Sequence, residues 1–403
     1  MSNFNRRNFF QLSGAAAAGL AVSGYEAVAS IPTNQPKNPT DPWLEIDLKN
    51  MGWNLNQIRK KVNNRPVMAV IKANAYGHGL VKVGKYLESQ SVAFLAVGKF
   101  QEALSLRENE VKTPILNFGS FSNHEAEEMV RNNISQSIYT DDFKLLSAAA
   151  RKQNKTAKVH IKMDTGLGRI GVPYYKALHF IEKVAVSDGI KIEGIFTPLT
   201  EDEEFDKAQL QRFLEVCESA KKKGIPLGLR HMASSAGVIS SPETYLDMVR
   251  PGIAIYGQYP STREYKARNI DLRPVMTLKT RVMYVKTLRP GDSVSYHKAF
   301  LAIEDTPVAT LSIGYSDGYP NQAAGKAKVL LHGKRWPSVA LVTSNHMTIN
   351  ISGSKDIKIG DEVVLFGKQG DNKIAAEELA AWAGTSVYKI LIWMNPLLPR
   401  EFL

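Results

Sequence analysis

The feature of this chain that most limits its fold is a repeated alternation, from Val67 to Ala254, of short apolar runs with longer amphipathic stretches. The runs are Val67–Lys72, Phe94–Gly98, Pro114–Gly119, Gln136–Tyr139, Val159–Met163, Ile192–Thr197, Leu227–Met232 and Met248–Ala254. Between them lie helical patterns such as Leu80–Gln90, His124–Asn132, Tyr175–Ser187 and Asp206–Lys223. Parallel strands need long crossover connections, and a helix is the usual one. About eight strands with about seven intervening helices are what a closed parallel barrel requires. An open doubly wound sheet is the alternative, but its Gly-rich phosphate turn after the first strand is missing.

Past residue 270 the texture changes. Val275–Leu288, Val308–Ile313, Lys328–His332, Val339–Val342, Met347–Ile351 and Glu362–Phe366 are short β-rich runs between Gly, Pro and Asp turns, interrupted by one helix, Ala375–Ala383. The expected fold is therefore α/β: a parallel (β/α)8 barrel over 42–271, followed by a mostly β C-terminal domain over 272–403. Two domains suit a chain of 403 residues.

The residues before the barrel read as an address. Arg6-Arg7-Asn8-Phe9-Phe10 precedes an uncharged stretch from Leu12 to Gly24, and Ala27-Val28-Ala29 offers a cleavage site. We read 1–29 as an export signal of twin-arginine character, 30–41 as a flexible lead-in, and the destination as periplasmic or secreted. The apolar run is too short and Gly-rich to give a stable membrane anchor. A formal net charge of +12 raises nucleic acid as a partner, but the basic residues are dispersed, with no aromatic-interleaved basic stripe, so no nucleic-acid partner is expected. The lone Cys217 forms no internal disulfide and reads as a small buried residue. No metal site is expected.

The chemistry starts at Lys72, at the end of the first barrel strand in Val70-Ile71-Lys72-Ala73-Asn74-Ala75-Tyr76-Gly77-His78-Gly79. A side chain there points into the barrel mouth, where barrel active sites form. A lysine among apolar neighbours loses its proton readily, which suits Schiff-base chemistry. This ten-residue string closely resembles the pyridoxal-phosphate lysine signature of the alanine racemases, which pair a barrel with a C-terminal β domain and work as head-to-tail dimers. The resemblance implies that Lys72 carries pyridoxal 5'-phosphate and that Tyr76 binds its phosphate. It also implies small-molecule amino acids as substrates and a homodimer with shared active sites.

The resemblance runs from Glu45-Ile46-Asp47-Leu48 to Leu398-Pro399-Arg400. In His160-Ile161-Lys162-Met163-Asp164-Thr165-Gly166-Leu167-Gly168-Arg169-Ile170-Gly171 it implies that Arg169 touches the substrate carboxylate. It also makes Lys162 a candidate for carbamylation, the unmodified lysine being the alternative. In Met248-Val249-Arg250-Pro251-Gly252-Ile253 it sets Arg250 at the pyridine nitrogen, with backbone at Gly252 and Ile253 reaching the phosphate; Ser235 matches the phosphate-binding serine. An arginine at that nitrogen disfavours a protonated ring, which makes it a poorer electron sink and favours racemisation over transamination. Val294-Ser295-Tyr296-His297 resembles the catalytic-tyrosine turn, so Lys72 and Tyr296 would serve as bases on opposite faces of Cα. Tyr315 matches an entrance-lining tyrosine, and Ser344 offers its backbone N–H to the substrate carboxylate.

The chain also departs from the family. Pro198 stands where a histidine usually links the tyrosine base to the ring-facing arginine. Thr343-Ser344-Asn345 replaces a Cys/Ser-Met-Asp segment, and Ser234 replaces a common asparagine. Asn395-Pro396 falls where narrow enzymes carry a Tyr or Ser near the phosphate. With the export signal, these departures resemble a broad-specificity periplasmic racemase. An alanine-specific racemase is the alternative, and a cofactor-binding protein whose catalysis has decayed is the alternative from another class. A related barrel-plus-β-domain decarboxylase fits the lysine, arginine and tyrosine blocks less well.

Overall fold

The computed structural model describes residues 41–403, so the readings made on 1–29 and on 30–40 lie outside the described residues. The first seven barrel strands are Met68–Val70, Phe94–Val97, Ile115–Asn117, Ile134–Ile138, Ala157–Asp164, Ile190–Phe196 and Leu229–His231, paired parallel in that order. The eighth stave is shorter than its apolar run. Met248 bridges to His231 and Val249 to Val67, and the Met68 N–H donates to the Val249 carbonyl at 2.8 Å, which closes the ring. Pro251, which has no N–H, and Gly252 stop the strand there, and Ile253–Tyr256 turns into a short 3-10 helix. The outer helices follow the apolar stripe: Leu80–Ser89 buries Leu80, Val83, Gly84 and Leu87, spaced to share one face. Among the described residues no helix is long and apolar enough to cross a membrane.

In the C-terminal domain six strands close on themselves. Met276–Leu288 pairs with Thr306–Ser312, then follow His346–Asn350, Lys334–Val339, Lys328–Leu331 and Glu362–Gln369, which returns to Met276–Leu288. Lys334–Val339 replaces the expected strand Val339–Val342. Its exposed charged residues hid it, and Ala340 at φ 60 ends it.

A second difference concerns the chain's early residues. Trp43–Ile46, which the sequence reading grouped with the barrel, pairs antiparallel with Met276–Leu288 and parallel with Arg400–Phe402. Lys279 bonds to Glu45 at 2.8 Å and Glu362 at 3.2 Å, which ties three strands of this sheet. Asn54, on the helix Leu48–Lys61, then fastens the crossing back to the barrel. Its amide donates to the carbonyls of Ile255 and Arg273, and its side-chain oxygen accepts the Arg273 N–H. Cys217 is buried on the helix Glu203–Lys222, where burial pushes its thiol up to about 12.

Candidate active site

Lys72 stands just past its strand, and the backbone after it winds the unusual way. Ala73, Asn74 and Ala75 have φ of 55, 55 and 53, and Tyr76 has φ 51. Left-handed backbone costs an L-residue roughly 1–2 kcal/mol, so four in succession need outside support. Asn74 supplies much of it: its N–H donates to Glu102 Oε1 at 3.0 Å, and its side-chain oxygen accepts the Leu80 N–H at 2.8 Å. The other Glu102 oxygen accepts the Gly98 N–H at 2.9 Å. Gly77, at φ 83, ends the turn where a Cβ would lie 2.1 Å from the Leu391 carbonyl oxygen. Arg400 donates to the Gly77 carbonyl at 2.9 Å and to those of Asn395, Pro396 and Leu398. Burial draws the Arg400 guanidinium down to about 10, which leaves it charged at neutral pH.

Cations gather at the mouth of the barrel. The Lys72 side chain is exposed along the open mouth, yet the surrounding walls withhold enough water to lower its pKa, and the Arg169 charge lowers it further against the pull of Glu102. Lys162, 6% exposed, is pushed down to about 8 by burial first, then by Arg169, Arg250 and Lys72, with Asp164 opposing. Arg250 is buried, which draws it down to about 9. Its guanidinium lies 5.1 Å from the centre of the Phe196 ring, and Lys162 Nζ lies 6.0 Å from the same ring. Four basic side chains thus face one another with two carboxylates near them, an arrangement that calls for anions.

Beside them is a cradle. Ser235 opens the helix Ser235–Ser240, and its Oγ accepts the N–H groups of Gly252 at 2.9 Å and Ala254 at 3.2 Å, which leaves its O–H to donate. The N–H of Gly252 is therefore already used, and this residue contributes room: a Cβ there would stand 2.6 Å from the Tyr76 hydroxyl. The Ile253 N–H, at the head of its 3-10 helix, has no partner among the described residues. A serine hydroxyl, a tyrosine hydroxyl, a free N–H and a space kept by glycine suit a phosphate.

Arg250 is aimed by its surroundings. Nη2 donates to the carbonyls of Thr197 and Met232, both at 3.0 Å, and Nη1 meets His231 Nδ1 at 3.1 Å. Pro198 takes no part; its carbonyl accepts from Gln209 at 3.2 Å.

Lys72, Tyr76, Lys162, Arg169, Ser235, Arg250, Gly252 and Ile253 thus share the barrel mouth, whereas Tyr296, Tyr315 and Ser344 belong to the β domain. Among the described residues no hydrogen bond, ion pair or ring contact joins the two groups. Tyr296 is 71% exposed, on the turn of a two-stranded hairpin, Ser293–Val294 with Phe300–Leu301. Ser295 at φ 70, His297 at φ 59 and Lys298 at φ 53 hold that turn in strained backbone. The Tyr315 N–H donates to the Thr343 carbonyl and the Ser316 N–H to that of Ser344, both at 3.0 Å, so Tyr315 and Ser344 form one unit.

Asn395 belongs to that unit rather than to the phosphate cradle, since its amide donates to the Ser316 carbonyl at 2.8 Å. A second ring beside Tyr76, after that of Tyr256, is Tyr388, with ring centres 6.2 Å apart, on the helix Val387–Ile392. The sequence reading did not find Tyr388. Its only local signal is one polar aromatic in an apolar helix.

A proton-losing lysine among cations, beside a phosphate cradle at a barrel mouth, defines the class of enzymes that handle amino acids through a phosphorylated aldehyde. Comparison with known proteins narrows the class. The family model for the alanine racemase N-terminal domain matches residues 46–260, and that for the C-terminal domain matches 275–402. Alanine racemase 1 of Clostridium acetobutylicum is 36% identical over 367 residues, covering 90% of this chain and 95% of that protein. The alanine racemase of Desulforamulus reducens is 38% identical over 368 residues, covering 90% and 98%. The solved alanine racemase of Clostridium difficile 630 superposes with a TM-score of 0.85 at 32% identity, covering 92% of this chain and 97% of that one.

The chain belongs to the alanine racemase family. It is an amino-acid racemase, an isomerase, whose cofactor is pyridoxal 5'-phosphate.

Lys162 carries a test of this electrostatic field. With its pKa near 8 rather than the ordinary 10.5, the amine turns neutral, and so reactive toward carbon dioxide, about two and a half pH units earlier than a surface lysine. Carbon-13 NMR of protein under labelled carbon dioxide should show, beside the carbamate of the α-amino terminus, one side-chain carbamate signal that grows from about pH 7 to about pH 9 and is absent in Lys162→Arg. A side-chain carbamate that survives the substitution, or none in the native protein, would reject this reading of Lys162.

Proposed function

We propose that the protein interconverts L- and D-alanine, with Lys72 and the Tyr296 of a second copy as bases on opposite faces of the substrate. The observation that carries this reading is Lys72 itself, held at the mouth by a left-handed turn, with its charge disfavoured by burial and by Arg169. The cofactor, when bound, supplies an electron sink that makes the Cα proton removable. Lys72 would hold it through Nζ; the hydroxyls of Ser235 and Tyr76 and the Ile253 N–H would take its phosphate, and Arg250 would face its ring nitrogen.

The remaining residues of this chain do the rest. Arg169, steadied by Lys162 when that amine carries a carbamate, binds the substrate carboxylate with a guanidinium fork. An unprotonated Lys72 Nζ takes or returns the Cα proton on one face. Tyr296 does the same on the other, so no reorientation of the substrate is required. Within one chain Tyr296 is exposed on its strained turn, so the site is completed by a second copy in a homodimer; Tyr315 and Ser344 would border the same entrance.

Two observations favour alanine over the broad substrate range expected from the sequence. Relatives that match over nine-tenths of this chain bear the name alanine racemase. Tyr388 stands by Tyr76, so Asn395-Pro396 no longer argues for an altered cradle. An alanine-sized site discriminates by about 1–3 kcal/mol for each excess methylene. We therefore expect kcat/KM for alanine to exceed those for serine, methionine, lysine and arginine by roughly tenfold or more. Comparable values for lysine or methionine would restore the broad-specificity reading.

Subunit mixing tests the shared site. Lys72→Ala and Tyr296→Phe should each be inactive, while an exchanged equimolar mixture should regain about a quarter of native activity, because half the dimers carry one intact site. A mixture that exchanges subunits and stays inactive would place Tyr296 outside the catalytic pair.

We also propose export to the periplasm, or secretion. The family match begins only at residue 46, after the twin-arginine-like segment. A mature protein in the envelope fraction beginning near Ser30 is the expected result; a cytoplasmic protein retaining Met1 would count against it.

A further inference from the structure

Beneath Arg250 the barrel interior carries a row of polar groups that none of the roles above uses. His231 Nε2 lies 2.8 Å from His160 Nδ1, and His160 Nε2 lies 3.4 Å from Glu193 Oε2. Both rings are fully buried. The space for them is built into the strands. A Cβ on Gly194 would stand 2.4 Å from His160 Nδ1, Phe196 stacks on His231 with ring centres 5.0 Å apart, and Phe94 meets His160 edge-on at 5.6 Å. At the far end Ser135 Oγ donates to the same Glu193 oxygen at 2.5 Å, and Lys158 Nζ lies 3.7 Å from the other.

Only one arrangement of protons satisfies this row. A guanidinium donates and never accepts, so His231 Nδ1 must offer Arg250 a lone pair. The His231 proton then sits on Nε2 and donates to His160 Nδ1, which must accept. The His160 proton is thereby placed on Nε2, facing the Glu193 carboxylate. Shifting both protons by one nitrogen would set an imidazole N–H against a guanidinium N–H. Burial disfavours the charged form of both rings, which is consistent with two neutral histidines in the same tautomer. The last contact, at 3.4 Å, is the longest of the row, and Glu193 is the acceptor that faces the His160 Nε2 proton, which is otherwise buried without a partner; removing it sets an unpartnered N–H at one end against an opposed pair of N–H groups at the other.

We propose that Glu193 and His160 are positioning residues, which hold His231 as an acceptor and so fix the Arg250 guanidinium at the cofactor ring from the far end of a one-way relay. The proposal rests on the reading above that Arg250 faces the ring nitrogen. It goes further in making a partly buried carboxylate beyond the two histidines a determinant of how well that charge is held, and hence of how strongly racemisation is preferred to transamination.

The test uses the cofactor-loaded protein labelled with nitrogen-15 histidine. Both His160 and His231 should report a neutral ring protonated at Nε2. Glu193→Leu, which removes the acceptor, should give mixed tautomers at both rings. It should also raise conversion of the cofactor to its amine form, relative to racemisation, by on the order of tenfold, while KM for alanine stays within about twofold. Glu193→Gln, which keeps an acceptor oxygen, should restore both the tautomers and the ratio. If Glu193→Leu does not fold, Glu193→Asp, which withdraws the carboxylate by one methylene, carries the same expectation.

A native protein with either ring protonated at Nδ1 or charged would overturn the relay. A Glu193→Leu protein with unchanged tautomers, or with an unchanged ratio of the two reactions, would equally overturn it. Failure of the racemase reading would look different, because the nitrogen spectrum would stand while the protein racemised no amino acid.

Discussion

Four L-residues in succession at positive φ cost roughly 4–8 kcal/mol unless contacts from outside the turn offset them. After Lys72 those contacts come from three parts of the chain. Glu102 and Gly98 lie beside the next strand, Leu80 begins the next helix, and Arg400 reaches in from the β domain. Nothing in the local preferences of Ala73-Asn74-Ala75-Tyr76 would hold that backbone alone. The turn sets Lys72 in the mouth and carries Tyr76 to within 5.0 Å of Tyr256, ring centre to ring centre, beside the Gly252 cradle. The lysine and one wall of the phosphate site are thus a single rigid unit, braced from the β domain.

The second organising force is repulsion. Lys72, Lys162, Arg169 and Arg250 are held closer than like charges would choose, and burial adds to the strain on each lysine. A mouth of this kind is ill at ease when empty and settled by anions. A phosphate, a substrate carboxylate and a carbamate are the three that its geometry suits. Tyr296 supplies the complementary imperfection: an exposed aromatic on backbone that three residues strain to maintain. Both features make sense only when something else is brought to them.

Much of this was legible in the sequence, for physical reasons that also explain what was not. The barrel strands are apolar because both faces are covered, and a run such as Phe94–Val97 shows that without any knowledge of its partners. Lys72 follows from its place at a strand end, and Lys162 and Arg250 from the resemblance of the motifs that hold them. Trp43–Ile46 did not show its allegiance, because four residues carry no sign of which distant sheet edge will accept them. Tyr388 was hidden in the same way: its importance lies in facing Tyr76 across a gap that only the fold closes. The left-handed turn was half visible, since Asn74 tolerates positive φ and Gly77 favours it, but the alanines and Tyr76 gave no warning. His160 and His231 read as ordinary strand residues until their nitrogens are seen to meet.

The bond between Arg400 and the Gly77 carbonyl joins residues 323 positions apart. During synthesis the segment around Lys72 leaves the ribosome long before Arg400, which helps to secure it. The barrel strands can gather as they are made, since each pairs with the next, while Trp43–Ile46 must wait for Arg400–Phe402 to cover its second edge. A chain built in this order has its Lys72 turn held by Glu102 and Leu80 first and by Arg400 only at the end. The last brace of this turn therefore arrives late, as one of the final acts of assembly.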